Sequence, residues 1–384
     1  MCAMTIDREH LAATFTLLCE TDSPSGKEKK IASLLKEIFL KLGADEILED
    51  DTGHVTGSDT GNLFIRFNGT GNGKGIFLNC HMDTVEPATG VRVVRKEDTF
   101  FSAGDTILGS DDKSGIAAII EAVSYIRHNS IEHPPLEIIL TTCEEVGLLG
   151  AKALNPSMIN AKTGYSLDST GFGLVIVGAP ACNRLDISVR GAAAHAGLHP
   201  ERGVNAITLA AKALTLIPQG KIDSESTVNF GTIHGGTASN IVPELVTVIG
   251  EVRSHSTENL DRLTNQITHA FNQVVNDWED PTGEARGKPE LEIKINPDFP
   301  IMKLNTSAAV IQRVEKAAKS IDMNLEYKIA GGGSDANIFN GYGLQTAIIA
   351  TGMTHVHSTD EQVDLQDMVD LTRLIMAIIT NTNE

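Results

Sequence analysis

Aromatic side chains make up only 4% of this chain, with a single tryptophan. No apolar run approaches the roughly 20 residues that a membrane-spanning helix requires. Basic residues are scarce as well: 31 lysines and arginines face 50 aspartates and glutamates, a formal charge of −19. So acidic a surface repels nucleic acid and anionic membrane, which excludes both as expected partners. The five cysteines, Cys2, Cys19, Cys80, Cys143 and Cys182, are odd in number and show no paired C-x-x-C spacing. That argues against a disulfide framework and for a reducing compartment. The N-terminal "MCAMTIDREHLAATF" has no basic region followed by a long apolar stretch, so a cytoplasmic protein is expected.

What is present suits a globular protein of ordinary composition, 41% hydrophobic and 21% charged over 384 residues, enough for two domains. "SPSGKEKKIASLLKEIFLKLGA" has helical spacing at Ile31, Leu34, Leu35 and Ile38, with Ser23 to Ser25 as caps and Gly43 as the stop. "NLFIRF" and "GIFLNCH" read as strands, and the glycine-rich stretch between them as a hairpin-type turn. "SGIAAIIEAVSYIRHN" is a helix followed by the strands "LEIILTTCEE" and "TGYSLDST". Helices alternating with buried strands predict an α/β fold, a mixed and mostly parallel sheet flanked by helices.

From Asn183 the texture changes. "RLDISVRG", "STVNFGTIHGG" and "ELVTVIGEVRS" alternate as half-exposed strands do, interleaved with helices near Asn205 to Leu216 and Thr257 to Asp277. After "LEIKINPDFP" the first texture returns with "SAAVIQRVEKAAKSI" and "LQTAIIATG". The expected organisation is one domain over 1–182 and 298–384, with an α+β domain inserted at 183–297.

Acids and imidazoles recur where the apolar runs end: His81 and Asp83 after "GIFLNC", Asp111 and Asp112 in "LGSDDKSG", Glu144 and Glu145 after "LEIILTTC", Asp168 in "GYSLDST", and His357 in "THVHSTDE". Each alone is commonplace: a strand-end histidine is usually structural, an acid pair usually a solvated face, and "SDDKSG" usually a capped helix start. Their joint occurrence in an alternating α/β chain is harder to explain that way, because ligands gather beyond the carboxyl ends of parallel strands. Two imidazoles and several carboxylates suit zinc, cobalt or manganese better than an iron–sulfur cluster or copper(I). With one bridging carboxylate, five residues suffice for two ions. Of two adjacent glutamates, one can ligate while the other acts as general base, which implies amide hydrolysis.

These residues carry a resemblance. In "HMDTV", "GSDDKSG", "CEEVGLLGA", "SLD", "GAAAHAGLHPERGVNA", "GGTASNIVPE", "EVRS", "GGGSDANIF" and "HSTDE", the chain resembles the zinc exopeptidases that include peptidase T, glutamate carboxypeptidase, aminoacylase and succinyl-diaminopimelate desuccinylase. The motifs run in family order over nearly the whole chain, and "LGSDDKSG" is nearest the peptidase T-like branch. The resemblance implies two zinc ions, with cobalt or manganese as substitutes. His81 and Asp168 would hold one, Glu145 and His357 the other, and Asp111 would bridge; the "HSTDE" register selects His357 over His355. Glu144 would be the general base and Asp83 would orient His81. A cis peptide is expected between Asp111 and Asp112. In the inserted lid and dimerisation domain, His195 would reach the partner subunit's site and stabilise the oxyanion. Asn240 and Arg253 would hold substrate, and Gly332 and Gly333 would let the backbone approach it. The implied activity is a tripeptidase-like aminopeptidase acting on short peptides, as a homodimer. A carboxypeptidase, an N-acyl-amino-acid deacylase and a non-catalytic binding protein on the same scaffold stay open.

Overall fold

A computed structural model describes residues 5–380. Cys2 lies outside them, and Cys19, Cys80, Cys143 and Cys182 are buried and not disulfide-bonded. The chain divides into two compact units, one running to Gly178 and resuming at Met302, the other spanning Ala179–Ile301.

Helices α1 (Arg8–Cys19), α2 (Lys29–Lys41), α3 (Gly53–Thr56), α4 (Ser110–His128) and α5 (Leu149–Ala153) come first. The second unit holds α6 (Ala206–Thr215) and α7 (Thr257–Asn276), and α8 (Ala309–Ser320), α9 (Asp335–Gly341) and α10 (Leu365–Thr380) follow. The strands before the second unit are β1 (Glu46–Glu49), β2 (Leu63–Phe67), β3 (Ile76–His81), β4 (Val93–Lys96), β5 (Thr99–Ser102), β6 (Leu136–Thr141), β7 (Thr163–Ser166) and β8 (Leu174–Ala179). Then come β9 (Ala181–Arg190), β10 (Gly220–Lys221), β11 (Ser226–Gly235), β12 (Leu245–Ser254) and β13 (Glu290–Phe299). The chain closes with β14 (Met302–Lys303), β15 (Glu326–Ile329), β16 (Gln345–Ile349) and β17 (Gln362–Asp364).

Among the described residues, the first unit is built on a nine-stranded sheet ordered β1-β2-β6-β3-β7-β16-β8-β14, with β15 beside β8. Its centre is parallel, since β3 pairs in parallel with both β6 and β7, and β7 with β16. The flanking pairs β2–β6 and β16–β8 are antiparallel. Every residue of β3 and β6 is buried, as expected of parallel strands covered on both faces. Alternation sorts their side chains: Ile76, Leu78, Leu136 and Ile138 pack with α1, α2, α4, α8 and α10, whereas Phe77 and Ile139 join Phe64, Leu154 and Phe339 on the other face.

Two local expectations are corrected. Strands β2 and β3 do not form a hairpin, because β6 lies between them. The glycine-rich connection instead runs along the 133–135 segment, where Thr70 and Gly71 donate to the His133 carbonyl and Ile76 to that of Pro135. Helix α2 starts at Lys29 without a serine cap, because Ser25 Oγ donates to Asp83 instead. Its end is as expected: Gly43, at φ +77°, takes the left-handed position that closes the helix.

The second unit is a five-stranded antiparallel sheet ordered β10-β11-β12-β9-β13. Strands β9 and β12 bury alternate residues against α6 and α7, with Leu185, Ile187, Val246 and Val248 meeting Leu209, Leu263, Ile267 and Phe271.

Candidate active site

Four parallel strands deliver the candidate residues. Strand β3 ends in His81, β6 is followed by Glu144 and Glu145, β7 by Asp168, and β16 by the loop carrying His357. Parallel strands end on the same side of a sheet, so groups far apart in sequence converge there. Asp111 joins them from the start of α4, where its φ/ψ of −83°/103° is not helical. The Asp111–Asp112 peptide is cis, as the resemblance implies.

Asp111 stands at the middle of the group. Its Oδ1 lies 3.0 Å from His81 Nε2 and its Oδ2 lies 3.3 Å from His357 Nε2. Glu145 Oε1 is 3.0 Å from the same His357 nitrogen. Ligand atoms of His81, Asp111 and Glu145 all fall within 4.8 Å of one another. The His81 side chain is 2% exposed and that of His357 51%, so one imidazole forms the floor and the other the open rim.

The tautomer of His81 is fixed from below. Its Nδ1–H donates to the backbone carbonyl of Asp83 at 2.8 Å, which turns the Nε2 lone pair toward Asp111. The Asp83 carboxylate is 3.6 Å from Nδ1, beyond hydrogen-bond reach. It accepts instead from Glu144 N at 2.9 Å, Glu145 N at 3.2 Å and Ser25 Oγ at 2.6 Å. Asp83 thus orients His81 through its main chain and the two glutamates through its side chain.

Electrostatics in this cleft are those of crowded carboxylates. Burial and the neighbouring charge of Asp168 push Glu144 well above the usual carboxylate range. Burial and the charge of Asp111 push Asp168 up to about 7. Burial works against Asp111 too, but its contacts with His357 and His81 hold it below the ordinary value. Those with Asp111 and Glu145 raise His357 to about 10. Glu145 Oε1 is buried without a hydrogen-bond partner, although an imidazole nitrogen lies 3.0 Å away. Donor atoms that face one another at such a distance without a hydrogen bond suit two ligands of one cation. The set of imidazoles and carboxylates fits a borderline divalent ion.

The second unit holds the other candidates. His195 is exposed, and its Nδ1 accepts from Gly197 N at 3.2 Å, leaving Nε2 as the outward donor of the neutral ring. Asn240 is exposed beside it, its carbonyl accepting from Ala196 N at 2.9 Å. Arg253 on β12 pairs with Glu251 at 3.0 Å and lies over the Phe299 ring, 5.8 Å from its centroid. Gly332 and Gly333, in the first unit, precede α9, which Ser334 and Asn337 close with a capping box.

Some supporting residues were not legible as such. Glu28 is fully buried and accepts from Gly26 N, Ser58 Oγ and Cys143 N, which holds the Cys143 turn at φ +52° just before Glu144. Asp335, inside "GGGSDANIF", is buried and accepts from Thr141 Oγ1 at 2.5 Å, while Asn79 Nδ2 lies 3.4 Å from the same hydroxyl. Nothing in their local sequence separates these acids from surface ones; the signal is long-range burial.

Comparison with known proteins is consistent over the whole chain. Residues 183–279 match a peptidase dimerisation domain, 62–177 the peptidase family M28 model and 300–374 the M42 glutamyl aminopeptidase model. The structure of aminopeptidase PepT from Bacillus cereus superposes with a TM-score of 0.89 at 37% identity, covering 100% of both chains. A tripeptidase structure from Staphylococcus aureus gives 0.91 at 33%, covering 98% of this chain and 99% of that one. An uncharacterised Bacillus subtilis protein, YqjE, is 38% identical over 97% of this chain and 98% of its own length. Fold and site together define a metallopeptidase with an inserted dimerisation domain. The chain belongs to the peptidase T-like branch of the M20 peptidase family.

Proposed function

We propose that the protein is an aminopeptidase that releases the N-terminal residue of short peptides, tripeptides above all, using two zinc ions. Cobalt or manganese would substitute. The observation that carries this reading is the placement of Asp111, whose two carboxylate oxygens face two different imidazoles. His81 and Asp168 would hold one ion, Glu145 and His357 the other, and Asp111 would be shared. Ions so held polarise a scissile carbonyl and acidify water. Glu144 takes the proton of the attacking water and returns it to the leaving amine. Asp83 keeps the Glu144–Glu145 backbone and His81 in register.

From the dimerisation unit, His195 of a second subunit would donate Nε2–H to the oxyanion, so the working form is a homodimer. Asn240 and the fork of Arg253 would hold the peptide, the latter by its terminal carboxylate; Gly332 and Gly333 would leave room for its backbone. The inserted unit serves as both lid and dimer interface. No helix among the described residues is long and apolar enough to cross a membrane, and buried cysteines that are not disulfide-bonded agree with a cytoplasmic enzyme.

The test is hydrolysis of trialanine beside its N-acetylated and C-amidated forms. Release of the N-terminal alanine only when the amine is free supports the reading. Preference for the N-acetylated peptide would replace it with a carboxypeptidase or deacylase.

A further inference from the structure

The loop that presents Asp111 has backbone donors that the α4 helix cannot satisfy. Gly109 sits at φ +78°, and Asp111 and Asp112 are both outside helical φ/ψ. Their solution is a single side chain 250 residues away. Glu361 Oε2 accepts from Leu108 N and Gly109 N, each at 2.8 Å, and Oε1 accepts from Ser110 Oγ at 2.6 Å and Asp111 N at 3.0 Å. Glu361 is 1% exposed, so these bonds form away from water. Four donors converging on two oxygens match an ionised carboxylate, which only accepts and has lone pairs for all four.

Glu361 itself sits at the base of the loop that carries His357. Thr354 and Gln362 close that loop as an antiparallel bridge, and Ser358 ties its interior by donating to the His355 carbonyl at 2.6 Å. One side chain therefore fastens the Asp111 loop to the root of the His357 loop. The two loops so joined face each other at Asp111 Oδ2 and His357 Nε2, 3.3 Å apart.

We infer that Glu361 is a positioning residue that sets the separation of Asp111 and His357 and thereby the affinity of the site they share with Glu145. The inference rests on the two-metal reading above. Its mechanism is geometric: a neutral amide at position 361 would turn an NH2 group toward two of the four donors, and the Asp111 loop would move off the His357 loop.

The experiment titrates cobalt(II) into metal-free, full-length protein and follows visible absorption, comparing wild type with Glu361→Gln. Wild type should take up two equivalents. Glu361→Gln should take up the first normally and the second roughly 10–100-fold more weakly, as supporting-residue changes do at metal sites, with kcat falling and KM little changed. A variant that loses thermal stability yet binds both equivalents as wild type does would overturn the inference, leaving Glu361 a structural residue. Should Glu361→Gln fail to fold, Ser110→Ala decides: it removes one of the four bonds and should weaken the second equivalent on the order of fivefold, and unchanged affinity contradicts the inference. Wild-type protein that binds only one equivalent would remove the two-metal reading itself, and this inference with it.

Discussion

Asp83 holds His81 with its backbone carbonyl, at 2.8 Å from Nδ1, and not with its carboxylate, which is 3.6 Å away. The residue is thereby divided between two tasks. Its main chain sets an imidazole, and its side chain sets the amides of Glu144 and Glu145.

That division predicts how Asp83→Asn behaves. The carbonyl survives the substitution, so His81 keeps its orientation and the protein keeps its metal. One of the two glutamate amides loses its acceptor and faces an NH2 group, so kcat should fall roughly 10–100-fold. Elemental analysis beside steady-state kinetics checks this; loss of metal in proportion to activity would show that the carboxylate orients the histidine after all.

Glu144→Gln preserves shape and removes the proton acceptor. Turnover should drop by about 10²–10⁴-fold, the usual range for a general base, with metal content unchanged. Near-normal kcat would rule Glu144 out of proton transfer.

His195→Ala should lower kcat by about 10²–10³-fold if its Nε2–H faces the oxyanion. Because the donor would come from the other subunit, mixing this variant with Glu144→Gln should restore activity: each heterodimer then contains one complete site. Verified heterodimers that remain inactive would exclude the shared arrangement.

A prediction outside the site concerns Asp367, in the first turn of α10. Burial, with the nearby charges of Asp364 and Asp370, pushes its carboxyl up to about 6. A raised acid favours its protonated form in the fold, so its stabilising share is full below the unfolded carboxylate pKa, about 4, and is lost as pH rises through about 6. Asp367→Asn should therefore raise the melting temperature at pH 7.5 and leave it nearly unchanged at pH 4. An equal shift at both values would contradict the assignment.

The sequence made the parallel centre of the sheet legible because β3 and β6 are apolar throughout and alternate with helices. His81, Glu144, Glu145, Asp168 and His357 stood where apolar runs end and polarity changes abruptly, and it was their joint occurrence, not any one of them, that pointed to a shared cleft. The order of strands was not legible. Placing β6 between β2 and β3 depends on pairing across 50 or more residues, and the intervening glycines mimic a hairpin. Glu28, Asp335 and Glu361 escaped for a related reason: a carboxylate that folds inward, onto backbone amides for Glu28 and Glu361 and onto the Thr141 hydroxyl for Asp335, has the same neighbours in sequence as one that faces water. The atom used by Asp83 was equally hidden, since a carbonyl two residues on competes with the side chain for the same imidazole N–H.

The central claim is that Asp111 lies between two metal ions. Crystals of zinc-loaded protein, measured for anomalous scattering on both sides of the zinc edge, test it directly. The account predicts two peaks about 3.5–4 Å apart, one beside His81 and Asp168, the other beside Glu145 and His357, with one Asp111 oxygen on each. A single peak, or a pair that Asp111 does not touch, would contradict it.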